Sequence, residues 1–135
     1  MSCLKAGFAR VNINPEMGIP LRGYFIERLA DGILDDIEVN ALALECNSEQ
    51  LLLISVDNCG IEQDLSLVYR EMVSQKSGVK LENIILSATH THNAPEAYKN
   101  TNNELVRNSR NIRKRSYRRP CWCICNKWQR KLFNY

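Results

Sequence analysis

A chain of 135 residues that is 44% hydrophobic and 24% charged has room for one small domain with a core and little more. No run approaches the ~18 apolar residues of a membrane span, and the opening "MSCLKAGFAR" lacks the apolar stretch of a secretory signal. A cytoplasmic location is therefore expected, with the six cysteines reduced. The formal net charge of +3 hides a split: residues 1–98 hold 7 Lys+Arg against 14 Asp+Glu, while residues 99–135 hold 11 Lys+Arg against the single Glu104. A reversal from −7 to +10 predicts two segments, 1–98 and 99–135, with different origins or different partners.

In chain order, "KAGFARVNI" alternates as a strand and stops at Asn14-Pro15. "PEMGIPLRGYF" has two prolines, two glycines and little periodicity, and reads as a long ordered loop of the kind that lines sites. "IEVNALALE" and "QLLLISVD", joined by a three- to four-residue polar turn around Asn47-Ser48-Glu49, form a predicted antiparallel hairpin. The second of these strands is apolar on both faces, which places it centrally in a covered sheet. From Ile61 to Lys76 the period becomes helical, with Ile61, Leu65, Val68 and Met72 on one face and Gly78 at the C-cap position. "NIILSATH" supplies the next strand. Strand, helix and strand at this spacing predict a βαβ crossover, so the fold class is α/β: a mixed sheet with a hairpin and a crossover.

That crossover puts "SATHTHNAP" at the carboxyl end of a strand, where α/β sheets gather their site loops. Both histidines of the chain, His90 and His92, lie in it. On an extended backbone, residues two apart point to the same side, so the two imidazoles are expected to face one cavity. Imidazole is a common neutral metal ligand and suits Zn²⁺. The pair fits two histidines on one metal, or one on metal with the other donating a proton. It also fits two structural histidines with satisfied ring nitrogens, since a zinc site needs three or four ligands. Asp57, at the end of "LLLISVD", fits a residue lining the same sheet edge, but reads first as a strand-end cap or turn residue.

With these motifs in view, the sequence resembles the N-terminal part of the neutral/alkaline non-lysosomal ceramidase family. "GFARVNINPEMGIPLRGY", "RLADGILDDIEVNALALE", "LLLISVDNCGI" and "ENIILSATHTHNAPEA" stand in the family's order and spacing, covering about residues 4–97. The most specific element is the family's "HTHSGP"-type motif, here "HTHNAP" at 90–95. The resemblance implies a fragment of a larger catalytic domain. It also implies a zinc amidohydrolase that cleaves the N-acyl bond of a lipid amide such as ceramide. Carried over residue by residue, it implies zinc for His90 and a catalytic or substrate contact for His92. Asn93-Ala94 departs from the usual Ser/Thr-Gly and removes a glycine's backbone freedom beside the metal position. The family's other zinc ligands, a second histidine, a glutamate and a tyrosine, lie downstream of the matched region. Zinc binding by this chain alone is accordingly expected to be weak or absent, and the fragment inactive.

The segment 99–135 resembles nothing in that family. Its cations with Tyr117, Trp122 and Trp128 suit an alternative function, a small interaction module on nucleic acid or anionic membrane, although no specific nucleic-acid partner is expected. Cys121, Cys123 and Cys125 are soft donors without a second ligand pair at zinc-finger spacing. The reading that covers charge, cysteines and missing ligands together is a reading frame shifted after about residue 107. Glutamate and lysine codons in an A-rich gene, read one base out of step, give arginine and lysine. Back-translation from Asn108 with A/T-rich codons, chosen within the degeneracy of the code, and a one-base shift can give a helical spacing followed by a strand-like run.

Overall fold

In the computed structural model, the described residues are 4–15 and 17–94. Four strands and one helix account for the regular structure: β1 (Lys5–Asn12), β2 (Glu38–Cys46), β3 (Glu49–Val56), α1 (Gln63–Ser77) and β4 (Ile84–Ala88). The sheet order is β1-β2-β3-β4. β1 and β3 both run antiparallel to β2, and β4 is parallel to β3. Hairpin and crossover are as the periodicities require. No helix among the described residues is long and apolar enough to cross a membrane. The basic segment 99–135, with its predicted boundary, lies outside the described residues.

The β2–β3 turn is shorter than predicted. Cys46 pairs with Glu49, which leaves a two-residue turn in which Asn47 and Ser48 both have positive φ, 50° and 70°. That is the left-handed pair of a type I′ turn, whose twist matches the flanking strands.

Alternation along the strands sends one set of side chains to the helix side. Val11, Val39, Ala41, Leu52, Ile54 and Ile84 are buried there with Val73 of α1 and Val79 just beyond it. Leu52 and Val39 are fully buried, and each such aliphatic side chain stabilises the fold by about 1.5–3 kcal/mol. α1 ends at Gly78, whose φ of 79° lets its N–H reach the Ser74 carbonyl at 2.9 Å. The buried stripe of α1 is not the predicted one. Tyr69, Met72 and Val73 pack on the core, while Val68 is 44% exposed. The sequence carries two adjacent apolar stripes that share Met72, and only one can face the sheet.

The opposite face also carries an apolar row. Phe8 pairs with Leu42, Leu42 with Leu53, and Leu53 with Ile85, so four large side chains in register cross all four strands. Phe8 is 59% exposed and Ile85 50%.

β1, β3 and β4 point the same way, so the segments that follow them, 13–37, 57–62 and 89–94, emerge at one edge. The first is ordered by its own backbone bonds, Leu21 N–H to Arg28 O at 2.8 Å and Ala30 N–H to Ile19 O at 2.9 Å. Its ends are tied by Asn14, which donates to Asp36 Oδ1 at 2.6 Å and accepts from Ile37 N–H at 2.8 Å.

Candidate metal centre at the carboxyl edge of the sheet

β4 ends at Ala88, two residues before the first histidine, so strand alternation does not carry the pair. Thr89 N–H still bonds Val56 O at 3.0 Å, and His90 N–H then bonds Asn58 O at 2.9 Å. His90 has a φ of 64°, a left-handed conformation that costs a non-glycine residue about 1–3 kcal/mol. The turn, rather than an extended backbone, brings the imidazoles together. Their centroids are 5.0 Å apart with ring planes at 79°.

The His90 ring is fixed by its neighbour loop. Nδ1 lies 2.6 Å from the Cys59 carbonyl oxygen. A carbonyl oxygen only accepts, so this nitrogen carries the hydrogen and Nε2 keeps its lone pair free. A ligating imidazole is oriented in this way, its second nitrogen donating to a carbonyl. The residues present therefore fit a metal. Asn58, the one buried polar residue of this loop, supplies the carbonyl that holds His90 N–H, and its own Oδ1 accepts from Gly60 N–H at 3.4 Å.

His92 is held by the long 13–37 loop. Its ring occupies the space where a Cβ on Gly23 would sit, and Gly23 has a φ of 97°. Tyr24 packs edge-on at 6.1 Å from His92 and its hydroxyl donates to Asn93 Oδ1 at 3.0 Å. The Arg28 guanidinium lies 4.4 Å over the Tyr24 ring, within cation–π range, and Arg22 N–H reaches Ala94 O at 3.2 Å. This loop lines the site, as its Pro/Gly-rich composition predicts. The Asn93-Ala94 departure is also accommodated. Neither residue needs positive φ. Asn93 is latched by Tyr24, and Ala94 is fully buried.

Asp57 is the cap the sequence predicts. Its Oδ2 accepts from Glu38 N–H at 2.9 Å, and its own N–H bonds Glu38 O. It also lines a cleft of about 590 Å³ with Thr91, Asn93, Arg28 and Asp36. His90 and His92 are not part of that lining, so the cleft adjoins the histidine segment on its Thr91/Asn93 side. The clear carboxylate shift lies elsewhere: hydrogen bonds from Lys5 and then Gln50 hold Glu45 below its usual range near the hairpin end.

Cys59, His90 and His92 together place three donor atoms within 4.8 Å of one another. Cys59 is half-buried and both histidines are exposed. Sequence reasoning missed Cys59, Asn58, Gly23 and Tyr24. The parallel pairing of β3 and β4 is the signal for the first two, because it sets the residues after Asp57 beside those after Thr89.

No family model matches the chain, and no curated protein matches it significantly. Among solved structures it is similar to "Ceramidase complexed with C2", at 27% identity and a TM-score of 0.62 over 69% of this chain and 15% of that one. It is also similar to neutral ceramidase from Pseudomonas aeruginosa, at 24% identity and a TM-score of 0.64 over 87% of this chain and 21% of that one. The second likeness shows the fold. The first agrees with the resemblance read in the sequence, so the mixed α/β sheet corresponds to a fragment of a ceramidase-type domain. The chain spans about a fifth or less of the length of these structures.

Proposed function

We propose that residues 4–94 are the opening part of a zinc-dependent amidohydrolase domain whose substrate is an N-acyl lipid amide such as ceramide. In this reading His90 binds the metal through Nε2, and His92 meets the substrate and moves a proton. The observation that carries it is the Nδ1–H bond from His90 to the Cys59 carbonyl, because it leaves one lone pair, already oriented, at the edge where the site loops meet. Zinc, when bound, supplies a Lewis acid for the amide carbonyl and a water of lowered pKa. The chain's own residues orient that centre. The Cys59 carbonyl sets the His90 tautomer, Gly23 leaves room for the His92 ring, and Tyr24 holds Asn93 beside it. A neighbouring imidazole held in this way is suited to general acid–base work on the leaving amine.

The remaining ligands belong, in this reading, to residues encoded downstream, with 99–135 an out-of-frame sequence. The 135-residue chain then gives no turnover. The test is hydrolysis of an N-acyl sphingosine by the protein read in the restored frame, with and without a chelator. Chelator-sensitive release of fatty acid is expected. A zinc-loaded protein that leaves the amide intact, or hydrolysis indifferent to chelation, overturns the reading.

A further inference from the structure

We infer that Cys59 is a metal donor, forming with His90 and His92 a three-ligand cation site in the chain as it stands, suited to a borderline-soft divalent ion such as Zn²⁺ or Co²⁺. This rests on the reading of His90 as a ligand and adds to it a thiolate that neither the sequence motif nor the likenesses assign.

Three observations support it. The donor atoms of the three residues already lie within 4.8 Å of one another. Tetrahedral bonds of about 2.0–2.3 Å would set ligand atoms roughly 3.5 Å apart, so rotation of the Cys59 side chain and of the exposed His92 imidazole closes the remaining gap while the His90 ring stays held. Secondly, the approach of the two loops is built into the backbone. Asn58 O receives His90 N–H and Cys59 O receives His90 Nδ1–H, and Cys59 Sγ stands 3.9 Å from that same Nδ1, so the thiol and the imidazole are on adjoining sides of one contact between the loops. Thirdly, Cys59 is a free thiol. The other free cysteine of the described residues, Cys46, ends β2 at the hairpin, on the far edge of the sheet.

A thiolate with imidazoles selects zinc-like ions over magnesium or calcium, which prefer oxygen. Three protein donors also leave one coordination position open, as catalytic zinc sites do. In this chain His92 serves as a donor. In a longer protein with further ligands it is released to the substrate.

The test uses the full 135-residue chain with Cys121, Cys123 and Cys125 changed to serine, titrated with Co²⁺. We expect a one-to-one complex with a near-ultraviolet thiolate-to-cobalt charge-transfer band. Cys59→Ser abolishes that band, while His90→Ala and His92→Ala each lower affinity by at least the about 10–100-fold that loss of an outer partner costs. Alkylation of the chain with Cys59 intact gives a readout that does not depend on the variant folding. Zinc should slow modification of Cys59 and leave Cys46 unchanged. A band that survives Cys59→Ser, or equal alkylation of Cys59 with and without zinc, overturns the inference while leaving the His90 reading in place. Cobalt affinity unchanged by His90→Ala, with the band still dependent on Cys59, overturns the His90 reading and with it the three-ligand site.

Discussion

The His92 ring lies against the Cα of Gly23, in the space that any larger residue would fill with its Cβ. Two properties of glycine are used at once, a positive φ of 97° and the missing side chain. Gly18 has a similar φ of 78° but nothing near its absent Cβ. Gly18→Ala and Gly23→Ala should therefore each destabilise by about 1–3 kcal/mol through backbone strain. Only Gly23→Ala should also displace His92. Imidazole NMR shifts separate the two: a His92 resonance unmoved in Gly23→Ala would show that the loop yields instead.

The helix face offers a second comparison. Val73 is 2% exposed and Val68 44%, though both sit in apolar stripes of one helix. Val73→Ala should cost about 1.5 kcal/mol or more by removing buried methyls, and Val68→Ala should stay within about 0.5 kcal/mol. Urea unfolding followed by circular dichroism measures both. Equal losses at the two positions would mean that the face away from the sheet is covered in solution.

These contrasts mark how far the sequence was legible. Strand positions and the crossover followed from periodicity because alternation and 3.6-residue repeats are local properties. The choice between stripes 65/68/72 and 69/72/73 depended on where the sheet lies, which no local pattern records. The histidine pair was legible as chemistry but not as geometry. An extended backbone was expected at 90–92, and the observed turn is imposed by Asn58 O, thirty-two residues earlier in the chain. Cys59 and Gly23 were silent for the same reason, since their value comes only from contacts across loops.

The row Phe8–Leu42–Leu53–Ile85 crosses the sheet on the face away from α1, with its two ends on the edge strands β1 and β4. Exposed apolar surface beside open strand edges favours association. The isolated chain should therefore self-associate at micromolar concentration, and the paired change Phe8→Lys with Ile85→Lys should reduce light scattering. Neither residue is in the core, so the unfolding midpoint should barely move. A monodisperse monomer before any substitution would sink the idea.

The last prediction joins frame and chemistry. Charge changes sign between 1–98 and 99–135, and the described residues bring together one cluster of three side chains able to hold a metal, Cys59, His90 and His92. If the basic segment is read out of frame from near Asn108, the alternative frame downstream should encode a second histidine, then a glutamate and a tyrosine, in ceramidase-like surroundings. Restoring the frame by one base there should give a longer protein that holds zinc more tightly than the 135-residue chain, because it has more ligands to offer. In that protein His90→Ala should lose both metal and turnover. His92→Ala should keep the metal and lose turnover, since its proton work is needed only once the amide is bound. Metal content by atomic absorption and fatty-acid release from an N-acyl sphingosine separate the two. The 135-residue chain, supplied with the same zinc, should release no fatty acid above a metal-free blank. Chelator-sensitive cleavage by the short chain would show instead that its own donors suffice, and that no downstream ligand is needed.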